Sequence, residues 1–170
     1  MPLFPNGFPD EIVLKLEKAF DKKIIGNRAA SGTQIIAELG AEHLKTGYPI
    51  VYTSADSVLQ IACHTDIVPL SKLYEYCEKA RKIMSGKYAV GRVIARPFTT
   101  INGKFERLNN DRKDFALIPD KNNTMQRLFK AKKDVIAVGK ISDIFAKQSI
   151  TQDYPSHNNA DALRDLDDIV

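Results

Sequence analysis

Apolar residues recur along this chain with two different periods, and the switches between them mark the elements. Between residues 9 and 20, Ile12, Val13, Leu16 and Phe20 fall at three-and-four spacing behind Pro9 and Asp10, which predicts an amphipathic helix with a polar outer face. Residues 22 to 27 (KKIIGN) then read as a strand. Ser31 followed by Gln34 forms a capping-box pattern ahead of Ile35, Ile36, Leu39 and Leu44, predicting a second helix that ends near Thr46 and Gly47. Residues 49 to 54 (PIVYTS) and 58 to 63 (VLQIAC) are β-rich runs on either side of Ala55-Asp56-Ser57, giving two adjacent strands or one bent strand. From Pro69 onward Leu73, Cys77, Ala80 and Met84 line one helical face, with Gly86 where a glycine after the helix end belongs, so a third helix spans about 70 to 85. Residues 90 to 98 (VGRVIARPF) and 104 to 108 (KFERL) are strand-like, with a hairpin turn at Ile101-Asn102-Gly103. This alternation predicts an α+β fold, a small and mainly antiparallel sheet covered by helices.

The pattern changes after residue 108. Residues 109 to 124 (NNDRKDFALIPDKNNT) are polar and aperiodic, which places a boundary there. The expected organisation is a first domain over 1–110, a linker and short helix over 111–133, and a partial α/β segment over 134–170. Within that last part, residues 134 to 140 (DVIAVGK) form a nearly continuous apolar run. Such a run implies a strand covered on both faces, over Val135, Ile136 and Val138, yet the remaining residues offer too few strands to cover it. A last helix is expected from residue 158 onward.

Composition narrows the class. With 44% hydrophobic and 27% charged residues over 170 positions, the chain has the makings of a packed core and not of a disordered tail. The net charge of +4 and pI near 9.0 are too mild to mark a nucleic-acid binder without a concentrated basic stripe, and none is present. No apolar run approaches the roughly 20 residues of a membrane span. The first residues lack a basic and apolar leader, so a reducing cytoplasm is expected, and Cys63 and Cys77 read as small core hydrophobes.

The search for catalytic constellations is mostly negative: there is no Gly-rich phosphate loop, CxxC, HExxH or GxSxG. His43, His64 and His157 are scattered. His64 and Asp66 are the nearest approach to a metal pair, but no third or fourth ligand accompanies them, and a solvent-facing histidine at a strand end is the expectation. What stands out is a set of single polar residues at the ends of apolar strands. Ser54 and Asp56 close PIVYT, Arg92 and Arg96 interrupt VGRVIARPF, Arg107 sits in KFERL, and Lys140 ends DVIAVGK. Arginines two or four residues apart on a strand share a face, which is often merely the solvated one. Taken together, guanidinium groups and an ammonium make a receptor for a phosphate dianion, through bidentate charge-assisted hydrogen bonds, with Asp56 suited to orient sugar hydroxyls.

At these residues the sequence resembles the bacterial phosphopentomutases, members of the alkaline phosphatase superfamily. The resemblance rests on FPNGFP at 4 to 9, ASGTQII at 30 to 36, YTSADSVLQIA at 52 to 62, GRVIARPF at 91 to 98 and DVIAVGKISDIF at 134 to 145. It covers nearly the whole chain in order, weakening near 109 to 123 and after about 150. It implies an isomerase of nucleoside catabolism that interconverts ribose or deoxyribose 1-phosphate and 5-phosphate. In that family an α/β core holds two manganese ions and a phosphoryl-carrying threonine, and an inserted cap grips the sugar phosphate. By motif position, the cap's substrate contacts fall on Ser54, Asp56, Val58, Arg92, Ile94 and Arg107, with Lys140 at the return into the core.

The resemblance also implies a division of labour. The family's threonine and first metal aspartate precede the cap, its other metal ligands follow far downstream, and no corresponding Asp-Gly-His or Asp-His-Gly motif occurs here. The chain is therefore expected to be a cap plus the first piece of the returning core. By itself it should not catalyse phosphoryl transfer, because the metals and nucleophile supply most of such a rate. Its expected partners are pentose phosphates and the missing core domain, with neither nucleic acid nor membrane. A second reading belongs to another class: a non-catalytic stand-alone binding or interaction module built on the cap fold.

Overall fold

The computed structural model describes residues 1–156 and 158–169 and divides into two compact units, Met1–Phe115 and Ala116–Val170. His157 lies outside the described residues. The first unit contains α1 (Asp10–Phe20), β1 (Ile25–Ala29), α2 (Gly32–Thr46), β2 (Ile50–Thr53), β3 (Val58–His64), α3 (Leu70–Ile83), β4 (Arg92–Ile101), β5 (Lys104–Arg107) and β6 (Lys113–Ala116). Its sheet runs β1-β2-β3-β4-β5, with β6 also paired to β4. The α+β class stands. The adjacent strands β2 and β3 pair antiparallel, as do β4 and β5, while β1–β2 and β3–β4 are parallel.

Alternation along the strands sorts side chains onto two faces. Val51, Leu59, Ile61, Cys63, Val93 and Ala95 turn to one side and pack with Ile12, Leu16 and Phe20 of α1 and Leu73, Tyr76 and Cys77 of α3. Ile50, Tyr52, Ala62 and Phe98 turn to the other and pack with Ile35 and Ile36 of α2. Helix α2 settles closely onto this second face because of Gly40, where an added Cβ would lie 2.4 Å from the Phe105 ring.

Several local expectations are adjusted by neighbours. Strand β1 starts at Ile25 instead of residue 22, because Asp21 takes a left-handed conformation (φ 54°) to end α1. Ser31 is the N-cap of α2 but forms no side-chain cap bond, and Gln34 turns along the helix to donate to Glu38 Oε1 at 2.8 Å. The capping box is therefore absent, though the boundary it marked is right. Leu44 faces outward, its place toward the sheet being taken by buried His43. Helix α3 ends at Met84, and Gly86 opens a short 3-10 turn over Gly86–Tyr88. The β4–β5 hairpin closes through Asn102 and Gly103 alone, both at positive φ, between the paired Ile101 and Lys104. Residues 113 to 116, expected in a linker, form β6, and Phe115 joins the α1/α3 core.

The second unit comprises α4 (Thr124–Lys130), β7 (Ile136–Val138), α5 (Ile141–Ile144), β8 (Gln152–Tyr154) and α6 (Asn159–Ile169). Asn123 caps α4 by accepting from the Gln126 amide at 3.0 Å. Strand β8, too polar for the hydrophobic pattern to reveal, pairs parallel with β7. Two-sided burial of β7 is not observed: Val135 and Ala137 are buried, whereas Ile136 is 36% exposed. A two-stranded sheet covered on one side buries alternate residues only.

Candidate functional site

The register of the sheet lays out the polar residues of the α2 face in rows. Val58 of β3 stands opposite Arg92 of β4, with Ser54 just past the end of β2 in the adjoining turn. The next row is Tyr52, Gln60 and Ile94, the next Ile50, Ala62 and Arg96, and the next His64, Phe98 and Arg107. Helix α2 covers the apolar part of this face. Arg107 lies in the row furthest from Arg92, yet its side chain reaches the start of α2. A Cβ built on Gly32 would stand 2.6 Å from Tyr52 Oη and 3.7 Å from Arg107 Nη1. Glycine here lets the tyrosine hydroxyl and the guanidinium meet the first residue of the helix.

Four arginines gather at this end of the face. Arg112 forks onto Asp114, its Nε donating to Oδ1 at 2.8 Å and its Nη2 to Oδ2 at 2.7 Å, and Arg92 Nη1 donates to the same Oδ2 at 3.3 Å. Asp114 is placed for this because its neighbour Phe115 points to the opposite core. Arg96 Nε donates to Gln60 Oε1 at 3.0 Å, and the Tyr52 hydroxyl donates to that oxygen at 3.3 Å. Burial pushes the Tyr52 phenol up, against the opposing charges of Arg96, Arg107 and Arg112. Burial likewise pulls the Arg96 guanidinium down, with the charges of Arg112 and Arg107 acting in the same direction. The arrangement can hold an anion, since of the four guanidinium groups Arg92 and Arg112 share the Asp114 carboxylate while Arg96 has the neutral Gln60 as its partner.

The residues named from sequence are distributed as follows. Arg92 and Arg107 belong to the arginine cluster. Ser54 is half-buried and Asp56 exposed in the turn between β2 and β3, where the Val58 amide donates to the Asp56 carbonyl at 2.9 Å. Val58 and Ile94 are buried, at 3% and 2% exposure. Lys140 belongs to the second unit, exposed at the residue before α5. Tyr52, Gln60, Arg112 and Asp114 were not singled out by the sequence. The signal for Gln60 was available, as the lone amide in an otherwise apolar strand. Asp114 had none, because its role depends on β6.

His43 and His64 form a separate and self-satisfied network. His43 Nε2 accepts the His64 backbone N–H at 2.9 Å, so Nδ1 carries the proton and donates to the Tyr48 carbonyl at 2.7 Å. His64 is buried at 3% exposure, not solvent-facing as expected. Its Nδ1 accepts from the Asp66 amide and its Nε2 lies 3.0 Å from Thr100 Oγ1. Both ring nitrogens are thus engaged, and among the described residues no three His, Cys, Asp or Glu side chains gather to hold a metal ion. The described residues thus do not assemble a manganese centre. Cys63 and Cys77 are free and buried, as the sequence suggested. Among the described residues no helix is long and apolar enough to cross a membrane.

The first unit is thus an α+β fold that gathers arginine side chains on one face of its sheet. Comparison with known proteins gives the relationship. The chain is 52% identical over 165 residues to the phosphopentomutase of Dictyoglomus thermophilum, covering 97% of this chain and 42% of that protein. It is 54% identical over 162 residues to that of Caldanaerobacter subterraneus subsp. tengcongensis and 50% identical over 162 residues to that of Carboxydothermus hydrogenoformans. In both cases 95% of this chain is matched, and 41% and 42% of the relative respectively. No family model matches the chain. The chain is a relative of the phosphopentomutases, and it spans about 42% of the length of the curated relatives it matches.

Proposed function

We propose that this chain supplies pentose-phosphate recognition to a phosphopentomutase, a cytoplasmic isomerase that interconverts the 1- and 5-phosphates of ribose or deoxyribose. The supporting observation is the gathering of Arg92, Arg96, Arg107 and Arg112 on one sheet face, where Arg92 stands opposite Val58, the first strand residue after the turn that carries Ser54 and Asp56. In this reading Arg92 and Arg107 donate to the phosphate oxygens, Ser54 and Asp56 meet sugar hydroxyls, and Val58 and Ile94 shape the floor beneath them. Lys140 serves at the junction with the core domain. Two manganese ions and a phosphothreonine would supply the phosphoryl-transfer chemistry from polypeptide other than these residues. The chain's own contribution is to bind and orient the sugar phosphate.

The test is calorimetric titration of the full chain with ribose 5-phosphate, ribose and inorganic phosphate, beside an assay for mutase turnover. Ribose 5-phosphate is expected to bind, more weakly by tenfold or more in Arg107→Ala and Asp56→Ala, with no turnover. Unchanged affinity in both variants removes the assigned roles. Turnover by the chain alone overturns the division of labour.

A further inference from the structure

We propose that Arg96 is a further anion-binding residue of this face and that Gln60 is its positioning residue. The inference rests on the reading that this face receives a sugar phosphate. Arg96 shares its face of β4 with Arg92, and its Nε is fixed at 3.0 Å from Gln60 Oε1. That oxygen is itself held by the Tyr52 hydroxyl at 3.3 Å, and both partners are buried, Tyr52 at 0% and Gln60 at 5% exposure. Fixing Nε fixes the plane of the whole guanidinium, so its two remaining nitrogens are presented as a preset fork.

The identity of the acceptor is the telling feature. A half-buried arginine is stabilised best by a carboxylate, which satisfies its donors and neutralises its charge. Gln60 satisfies the donor and leaves the charge in place. Among the described residues Arg96 makes no ion pair, while Arg92 and Arg112 share Asp114. Its charged neighbours are Arg107 and Arg112, which repel it, and Asp114, which offsets that repulsion only in part because it is already paired with Arg92 and Arg112. The start of α2 adds to the imbalance: Gly32 sits against Tyr52 Oη and Arg107 Nη1, the first turn contains no acidic residue, and Ser31 makes no side-chain cap bond. An arriving phosphate dianion relieves all of these at once. Tyr52 links the two cations, touching the Arg107 side through Gly32 and the Arg96 side through Gln60.

The experiment is a double-mutant cycle on the full chain, with ribose 5-phosphate as the titrant and neutral ribose as the control. Arg96→Gln and Gln60→Leu are each expected to weaken ribose 5-phosphate binding by roughly tenfold with ribose binding little changed, and Gln60→Leu, which leaves the buried Tyr52 hydroxyl without its acceptor, should also lower the melting temperature by several degrees. The effect of Gln60→Leu on binding should vanish in the Arg96→Gln background, which a merely structural role for Gln60 would not produce. A second readout needs no substitution: the Arg96 Nε–H resonance should shift on titration with inorganic phosphate. A weakened Arg107→Ala variant beside unchanged Arg96→Gln affinity and an unmoved Arg96 resonance would overturn this inference alone. Failure of the unsubstituted chain to bind ribose 5-phosphate overturns the functional reading and this inference with it.

Discussion

Asn27 holds the backbone of Phe8 at both polar atoms, its Oδ1 accepting from the Phe8 N–H at 2.7 Å and its Nδ2 donating to the Phe8 carbonyl at 3.0 Å. The clamp seats Phe4 and Phe8, with ring centroids 4.9 Å apart, at the margin of the α1/α3 core. Gly7 makes it possible. Its φ is +88°, and a Cβ there would stand 2.1 Å from the Asn27 carbonyl oxygen. Gly7→Ala should therefore destabilise the first unit by about 2–4 kcal/mol. Asn27→Ala should cost about 1–3 kcal/mol, and Asn27→Asp, which keeps the acceptor, less. Urea unfolding reads all three, and a Gly7→Ala midpoint equal to wild type would refute the account.

His43 gives a pH dependence with a definite sign. Burial chiefly, with smaller contributions from His64 and Lys22, lowers its pKa below the usual 6.5, against the opposing bond to Tyr48. The unfolded chain therefore takes up a proton more readily. Stability from this group is complete above pH 6.5 and declines as pH falls through the unfolded value toward the depressed folded one. The urea midpoint should drop between pH 7.5 and 5.5 in the wild type, and the drop should be smaller in His43→Gln. Equal drops in the two proteins would show that His43 contributes nothing.

How much of this was legible in sequence differs by element. The helices were plain because Ile12, Leu16 and Phe20, or Leu73, Cys77 and Ala80, report their faces through local spacing. The parallel pairing of β3 with β4 was not, since α3 intervenes between them and strand order is a long-range property. Strand β8 has no apolar alternation to betray it. Within the site, Arg92 and Arg107 stood out as charges breaking apolar runs. Asp114 did not, because only the pairing of β6 with β4 brings it to Arg92.

Asp114 occupies the arginines from within the protein. Asp114→Asn keeps the shape of the side chain and removes the negative charge shared by Arg92 and Arg112. These groups are partly exposed, so the effect is modest: inorganic phosphate should bind about threefold tighter, with a steeper dependence on salt. Titration at two ionic strengths measures it. Weaker binding in the variant would mean that Asp114 serves chiefly to aim Arg92.

Gly32 lies at the meeting point of helix and site. Gly32→Ala sets a methyl group 2.6 Å from Tyr52 Oη and should displace the hydroxyl from Gln60. Helical propensity favours alanine by up to about 1 kcal/mol, which offsets much of the steric cost. The expected result is a melting temperature within a few degrees of wild type, with ribose 5-phosphate binding reduced severalfold. Intact affinity in a folded variant would show that Tyr52 can move without consequence.

Cys63 and Cys77 lie at 0% exposure, and burial pushes both thiols up. Neither should react with a disulfide reagent in the native state except through opening of the core, and both should react at once in urea. Rapid native labelling of either would contradict the packing of α3 on the sheet.

The four arginines at one end of the sheet, set against Asp114 alone, leave three positive charges unbalanced, while the whole chain carries +4. The cluster is thus a local concentration of positive charge on the first unit. Distant anions feel a direction as well as an attraction. Encounter with a dianionic ester should be guided toward that end of the sheet before any contact forms, and the guidance should fade as added salt shortens the range of the field.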